Sequence, residues 1–158
     1  MVLNRQILRP VNNGLLTDVD LNALYNACDV GINTCVGEGF GLCNVEHAGL
    51  GKPQIVSNVG GLSDIFGPLH DKQMTLGVAT VDPVASLTLV RAIDAHLGDI
   101  YICDPSNFAA YLTDVYYRFK DDDKPVYFPS LRSHILQTYD WSSLLDSFHT
   151  KLLSLLQN

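Results

Sequence analysis

The sequence predicts an α/β fold in which helices cover both faces of a parallel β-sheet. Short apolar segments alternate along the chain with segments that have helical periodicity. The apolar segments are hydrophobic at successive positions, which is typical of strands buried on both faces. The 158 residues suffice for one domain with a substantial core but are few for two. We therefore expect residues 1–158 to form a single domain.

Four apolar segments are expected to be strands, because each is short and is bounded by residues that favour turns. They are 6–11, 30–36, 53–58 and 76–82. Between the last two, the segment 59–64 contains Gly60 and Gly61 and is expected to be a turn.

Segments with apolar residues at helical spacing lie between and after these strands. Thr17 is a candidate N-cap for the first helix, with acidic residues in the turn that follows. Asp82 as a cap and Pro83 as the first residue predict another helix start. The predicted helices are 17–29, 42–50, 82–98, 107–120 and 141–158.

The composition indicates a globular protein, with 47% hydrophobic and 17% charged residues. The net charge of −7 argues against nucleic acid as a partner, since nucleic acids attract basic surfaces. The N-terminus lacks the apolar core of a signal peptide, and no apolar run is long enough for a membrane helix. We expect a soluble, cytoplasmic protein without an integral membrane segment.

The cysteines Cys28, Cys35, Cys43 and Cys103 form no Cys-x-x-Cys pair and have apolar neighbours. They are expected to be buried, reduced thiols rather than disulfide or metal ligands. His47 alone completes no metal set and is expected to be an ordinary helix residue that faces the sheet or solvent.

A glycine-rich loop joins the predicted strand 30–36 to the predicted helix 42–50. Gly39 and Gly41 have no Cβ, so the backbone can turn sharply and a ligand can approach it closely. The start of the helix presents unpaired N–H groups and about half a positive charge. This arrangement can hold a phosphate group, although the loop matches neither the dinucleotide-binding nor the nucleotide-hydrolase glycine motif.

Two glutamates, Glu38 and Glu46, stand on either side of this loop with seven residues between them. Carboxylates repel phosphate but accept strong hydrogen bonds from hydroxyl groups. A ligand with hydroxyls on both sides of a diphosphate, such as a nucleotide sugar, fits this layout. The alternative is that both are surface acids, which are favourable near a helix start in any case.

Residues 38–64, EGFGLCNVEHAGLGKPQIVSNVGGLSD, closely resemble the nucleotide-sugar motif of retaining glycosyltransferases with the GT-B architecture. This family (glycosyltransferase family 4-like, group 1) includes sucrose synthases and bacterial mannosyltransferases, and its motif is Glu, seven residues, Glu, with Gly-Phe-Gly-Leu after the first acid. The segments 14–33 and 139–153 also resemble the family. The matching motif residues are Glu38, Gly39, Phe40, Gly41, Leu42, Glu46, Gly51, Pro53, Gly60 and Gly61.

The resemblance implies a Rossmann-like domain that forms the C-terminal, donor-binding half of a GT-B fold. It implies that Glu38 is catalytic and binds donor-sugar hydroxyls near the reacting centre, and that Glu46 binds the ribose. The backbone that cradles the sugar and diphosphate would be that of Gly39, Phe40, Gly41 and Leu42. The implied donor is a UDP-, GDP- or ADP-sugar, used with retention of anomeric configuration and without a tightly bound cofactor or a metal site.

The chain also departs from the family. The acceptor domain and the Arg and Lys that hold the diphosphate normally precede the first residues here, and Arg5 and Arg9 do not match them. The chain alone is therefore expected to bind the donor poorly and to transfer nothing. Family members usually hold the nucleobase near the segment 10–14. Asp64 stands where Glu is more frequent, and the segment 102–130 has no evident counterpart.

The implied partners are the nucleotide-sugar donor and the N-terminal GT-B domain of the same enzyme. In the family the last helix often packs partly against that domain, so self-association through its exposed apolar face is expected. A second interpretation is a non-catalytic sugar-nucleotide-binding or regulatory module. A third, a GT-B-type sugar-nucleotide epimerase, is disfavoured by the Glu-Gly-Phe-Gly-Leu motif.

Overall fold

The computed structural model describes residues 16–90, 96–121 and 125–156, which form a mixed α/β structure. The helices are α1 (Asp18–Asn26), α2 (Leu42–Gly49), α3 (Gly60–Phe66), α4 (Pro105–Phe119), α5 (Pro129–Tyr139) and α6 (Trp141–Leu156). The strands are β1 (Gly31–Asn33), β2 (Gln54–Ser57), β3 (Val78–Val81), β4 (Pro83–Val90) and β5 (His96–Cys103). A short 3-10 helix, Gly67–Leu69, follows α3.

The first three strands form a parallel sheet in the order β1-β2-β3. Every residue of β2 and β3 is buried, as the uninterrupted apolar segments predicted. Among the described strands, β1 is an outer one, and its Ile32 is 47% exposed. The predicted strands 53–58 and 76–82 are confirmed, whereas 30–36 is ordered as a strand over three residues only.

Successive residues of the central strands enter two different cores, because side chains alternate across a strand. Val56 and Val78 pack with α2, α3 and α5 through residues such as Leu62 and Ile135. On the opposite face, Ile55, Ala79 and Val81 of β2 and β3 pack with Phe108 and Val115 of α4. Helices therefore cover both faces of the sheet, which confirms the predicted fold class.

The first helix begins where its cap was expected. The Thr17 hydroxyl accepts a hydrogen bond from the Asp20 amide, and the Asp20 carboxylate accepts one from the Thr17 amide. This reciprocal pair forms a capping box that satisfies two backbone donors at the helix start. The helices predicted at 17–29, 42–50, 107–120 and 141–158 are confirmed, apart from a few residues at their ends. Residues 157–158 of the last one lie outside the described residues.

The helix predicted over 82–98 is wrong. From Pro83 onward its described residues belong to β4 and β5, which pair as an antiparallel two-stranded sheet. Val84, Thr88 and Val90 are β-branched and favour extended backbone, and Ile100 and Tyr101 in the partner strand do the same. The pairing between the two strands outweighs the start signal at Asp82 and Pro83.

Three further differences concern the remaining segments. The expected turn 59–64 is largely helix α3, and helix α5 was not predicted. The segment 102–130 consists mainly of α4 with the ends of its neighbours. The predicted strand 6–11 lies outside the described residues. None of the helices in the described residues has the length and apolar character required to cross a membrane.

Candidate functional site

The loop between β1 and α2 leaves the sheet at the carboxyl end of a strand, where parallel sheets place their ligands. Gly41 ends the loop in the left-handed region, with φ 74°, and precedes α2. A Cβ at Gly41 would overlap with the Leu62 side chain of α3. The left-handed backbone conformation is therefore the reason that this position requires glycine.

The glycine pair at the start of α3 packs directly on this loop. The amide of Gly61 donates a hydrogen bond to the carbonyl oxygen of Glu38, at 2.9 Å. A Cβ at Gly60 would overlap with that same carbonyl, and a Cβ at Gly61 with the carbonyl of Gly39. The two backbones can approach this closely only because neither residue has a side chain, and their contact fixes the loop.

The outer surface of the loop is open. In the part of the chain that the structure describes, no atom lies within 4 Å of the position that a Cβ would take at Gly39. Phe40 is 41% exposed, and its ring contacts that of Tyr139 edge to face at 5.8 Å. Leu42 is 64% exposed on the first turn of α2. Backbone donors at this helix start can therefore be reached by a ligand.

Glu38 is half-buried in the loop, and its Oε1 accepts a hydrogen bond from the amide of Gly39 at 3.0 Å. Burial raises the pKa of the nearby Cys35 thiol, and the charge of Glu38 raises it further. The thiol thus stays neutral beside the carboxylate.

Glu46 lies on the exposed side of α2, four residues after its first residue, or about 6 Å along the axis. Its Oε2 accepts a hydrogen bond from the Tyr25 hydroxyl of α1 at 2.8 Å. Burial raises the pKa of the Tyr25 phenol, and the hydrogen bond to Glu46 raises it further. The phenol therefore remains a proton donor to Glu46 throughout the neutral range. Glu38 and Glu46 are the two glutamates of the whole chain.

A chain of buried amide side chains runs beneath the site. The Cys35 amide donates to Asn33 Oδ1, and Asn33 Nδ2 donates to Asn44 Oδ1 on α2. Asn44 Nδ2 in turn donates to Gln54 Oε1 of β2 at 2.9 Å. Each donor meets an acceptor, so the buried polar groups are satisfied. The same bonds connect the start of the loop to α2 and to β2.

His47 is the last side chain in this chain of hydrogen bonds, which continues to the backbone of Tyr25. Gln54 Nε2 donates to the Lys52 carbonyl, and this bond identifies Nε2 as the nitrogen of the side-chain amide. The same nitrogen is therefore also the donor in the hydrogen bond to His47 Nδ1. His47 Nε2 then donates to the Tyr25 carbonyl at 3.1 Å. His47 is 4% exposed, and burial lowers its pKa, so the ring is neutral with its proton on Nε2.

Sequence reasoning located the loop and the two glutamates but missed Tyr25 and the amide chain. Asn33 and Gln54 offered a detectable sign, since both are polar residues within segments read as buried strands. A polar side chain in such a place needs hydrogen-bond partners. His47 was expected to face the sheet or solvent, and the structure buries it in α2 against the sheet residue Gln54. Its neutral ring is engaged at both nitrogens, which explains why it supplies no base.

Among the described residues, positive charge near the loop comes from the backbone rather than from side chains. Within the described ranges, no Lys or Arg forms a hydrogen bond or ion pair with residues 38–42. Arg132 contacts α2 at its other end, where it donates to the Gly49 carbonyl. Among the described residues, no three His, Cys, Asp or Glu side chains come together in a group able to hold a metal ion. The segment 10–14, expected near a nucleobase, lies outside the described residues.

The four cysteines are free, as expected, but their predicted burial is wrong for two of them. Cys28 and Cys43 are exposed, whereas Cys35 and Cys103 are half-buried. Cys28 follows α1, a helix without buried residues, and Cys43 lies on the outer side of α2. Apolar neighbours in sequence therefore did not imply a buried position.

Comparisons with known proteins agree with this architecture. Three proteins of Escherichia coli, each called serotype-specific mannosyltransferase WbdA, are 41% identical to this chain over 54 residues. The aligned segment is 34% of this chain and spans only 6–7% of the length of those relatives. The model of the family "Glycosyl transferases group 1" matches residues 8–99, more than half of the chain. The chain therefore belongs to the group 1 glycosyl transferases.

Proposed function

We propose that this chain is the donor-binding half of a glycosyltransferase that moves a sugar from a nucleoside-diphosphate sugar to an acceptor with retention of configuration. The observation that supports this proposal is the geometry of the loop between β1 and α2. Gly60 and Gly61 clamp its backbone, its outer surface is open, and Glu38 and Glu46 flank it. Membership of the group 1 family supports a nucleotide-sugar donor.

The proposed roles follow from the chemistry of each group. Glu46 is exposed and acidic, so it suits the ribose hydroxyls, to which carboxylates form strong hydrogen bonds. The backbone of Gly39, Phe40, Gly41 and Leu42 would hold the sugar and diphosphate at the start of α2. Glu38 would hold hydroxyls of the transferred sugar. Its carboxylate currently bonds its own loop, and a sugar hydroxyl can use the remaining lone pairs.

In the transfer step, the anomeric carbon exchanges its bond to a diphosphate oxygen for a bond to an acceptor hydroxyl oxygen. The diphosphate leaves with the bonding electron pair, and the acceptor proton is released. The growing negative charge needs stabilisation. The described residues offer only backbone donors for this, so we propose that an N-terminal GT-B domain supplies the cationic groups and the acceptor site.

A second candidate is a non-catalytic sugar-nucleotide-binding or regulatory module. It is favoured by the lack of a basic side chain bound to residues 38–42 within the described ranges. Such a module would bind the nucleotide through Glu46 and the loop without carrying out transfer. The two candidates share the binding site and differ in catalysis only.

The proposal is tested by titrating the chain with UDP, GDP and ADP and their sugar conjugates, using calorimetry and ligand-observed NMR at millimolar concentration. We expect one base to be preferred. Glu46→Ala should weaken the nucleotide and its conjugate about tenfold or more, because a hydrogen-bonding carboxylate is lost. Glu38→Ala should weaken the conjugate alone. Asp146→Ala, on the exposed side of α6, is the matched control.

Unchanged affinities in both glutamate variants, or no binding by the wild-type chain at millimolar nucleotide, would contradict the proposal. In an enzyme that contains both GT-B halves, Glu38→Ala should lower kcat more than it lowers nucleotide affinity. Binding without any transfer in that enzyme would instead favour the non-catalytic module.

A further inference from the structure

We propose that Tyr25 is a positioning residue for Glu46: its hydroxyl holds the carboxylate in the orientation that accepts the ribose hydroxyls. This inference rests on the proposed function, because it assigns ribose to Glu46. It adds a residue of α1 to a site otherwise formed by the loop and α2. Tyr25 would act on the ligand only through Glu46.

The hydrogen bond itself carries the argument. The Tyr25 hydroxyl lies 2.8 Å from Glu46 Oε2, across the contact between α1 and α2. An exposed glutamate without such a bond samples several rotamers, and ordering it on binding weakens affinity. A bond from a neutral phenol to a charged carboxylate removes much of that freedom before the ligand arrives.

Tyr25 can orient Glu46 because Tyr25 is itself fixed. Its carbonyl accepts the Nε2 proton of His47, and its ring stacks on the His47 ring at 5.4 Å between centroids. His47 is held in turn by Gln54 in the centre of the sheet. The phenol is therefore connected to the rigid part of the fold, whereas the carboxylate it holds is exposed.

The bond leaves room for the ligand. A carboxylate has two oxygens and about four lone-pair sites, and Tyr25 occupies one of them. The two hydroxyls of a ribose diol need two more. Tyr25 and Glu46 both line a cavity of about 240 Å³ between α1 and α2, so the pair is open to solvent on one side. The phenol can thus remain in place while ribose binds.

A purely structural role is the competing explanation, in which the bond only holds α1 against α2. The two roles differ in their dependence on the ligand. A structural bond affects every nucleotide equally, since it acts on the fold. A positioning bond affects only ligands that use Glu46, which are those with ribose hydroxyls.

The experiment compares Tyr25→Phe with wild type for binding of nucleoside diphosphates and their 2′,3′-dideoxy forms, by ligand-observed NMR titration. We expect Tyr25→Phe to weaken the ribonucleotide about three- to tenfold and to leave the dideoxy form unchanged. Tyr116→Phe removes the same hydroxyl from the 61% exposed Tyr116 on α4 and is the control. A Glu46→Gln variant should bind both forms alike, with or without Tyr25→Phe.

Equal weakening of both ligands by Tyr25→Phe would overturn the positioning role, as would no weakening of either. Failure of the proposed function looks different: the wild-type chain would then bind no nucleotide, or would bind both forms with the same affinity. Circular dichroism and thermal unfolding of Tyr25→Phe show whether α1 stays folded. If it does not, the Glu46→Gln comparison of the two ligands still tests the assignment of ribose to Glu46 on which the inference depends.

Discussion

At the scale of single residues, the site loop depends on glycines that serve different purposes. Gly41 and Gly60 have positive φ angles of 74° and 50°, which other residues rarely adopt. Gly61 is required instead by space, because its Cβ would overlap with the Gly39 carbonyl. Gly37 and Gly39 meet neither condition. The loop thus contains one glycine that its conformation requires, Gly41, and two positions with room for a side chain, Gly37 and Gly39.

Gly61→Ala should destabilise the protein by about 1–3 kcal/mol, the usual range for a side chain forced into filled space. The added Cβ must push the loop backbone away from α3, so nucleotide binding should weaken as well. Urea unfolding monitored by far-UV circular dichroism measures the change in unfolding free energy. Gly37→Ala, where no atom lies within 4 Å of the new Cβ, is the control and should change stability little.

Equal unfolding free energies for Gly61→Ala and wild type would contradict the close packing of α3 on the loop. An equal loss of unfolding free energy in Gly37→Ala and Gly61→Ala would also contradict it. The loss would then come from replacing a glycine as such and not from overlap of the new Cβ with the loop.

At the scale of elements, buried polar side chains connect β1, β2, α1 and α2. The chain of donors is continuous from the start of the loop to Tyr25. Its last member, His47, must be neutral, because a proton on Nδ1 would face the amide nitrogen of Gln54. The protonation state of one histidine therefore matters for how three elements are held together.

The pH dependence of stability follows from this neutral His47. Burial lowers its pKa in the folded protein below the ordinary 6.5. The unfolded chain consequently binds more protons between the folded pKa and 6.5, and unfolding becomes easier as the pH falls through that window. Stability should be constant from pH 7 to 8 and should decrease below pH 6.5, by at most about 1.4 kcal/mol per pH unit.

Urea unfolding at closely spaced pH values between 5 and 8 tests this dependence. His47→Gln removes the titrating group and should flatten the profile between pH 5 and 6.5, at a lower overall stability. His149→Gln, on the exposed side of α6, should keep the wild-type slope. A wild-type profile that is flat in this range would show that His47 is not held neutral.

The hairpin of β4 and β5 shows how an element signal can fail. Asp82 and Pro83 form a good helix start, but such a signal marks where a helix could begin and does not make the following residues helical. The Tyr101 amide of β5 also donates to the Val36 carbonyl at 2.8 Å, so the hairpin contacts the site loop. The extended structure of this segment was decided by its pairing with a strand further along the chain. The periodicity of one segment carries no information about such a partner.

At the scale of the whole molecule, the last helix leaves a large apolar surface in solvent. Along α6, Trp141 is 77% exposed, Phe148 62% and Leu155 66%. Leu144, Leu145, Leu152, Leu153 and Leu156 are exposed as well. Contiguous apolar patches of this kind mark interaction surfaces in soluble proteins. An N-terminal GT-B domain is the partner we propose, and in its absence a second copy of the chain can cover the patch.

The isolated chain should therefore self-associate with increasing concentration. Multi-angle light scattering between micromolar and millimolar protein should show a mass rising above 17.4 kDa. Phe148→Glu should reduce this association, because it places a charge in the centre of the patch. Tyr127→Glu, 52% exposed and outside α6, should not. A monodisperse monomer at high concentration would contradict the prediction.

The sequence by itself determined the class of the fold, the position of the loop and the identity of its two glutamates. Uninterrupted apolar segments require burial on both faces, and the motif Glu38–Leu42 with Glu46 is local in the chain. Their roles toward a sugar nucleotide remain predictions. Such features are encoded by neighbours in sequence, so they can be read there.

Only the tertiary structure decided which residues meet the site from elsewhere. Tyr25 reaches Glu46 across 21 positions of sequence, and Gly61 meets Glu38 because α3 folds back on the loop. The pairing of β4 with β5 was decided in the same way. These contacts depend on how elements pack, and packing joins residues whose separation along the chain carries no local pattern.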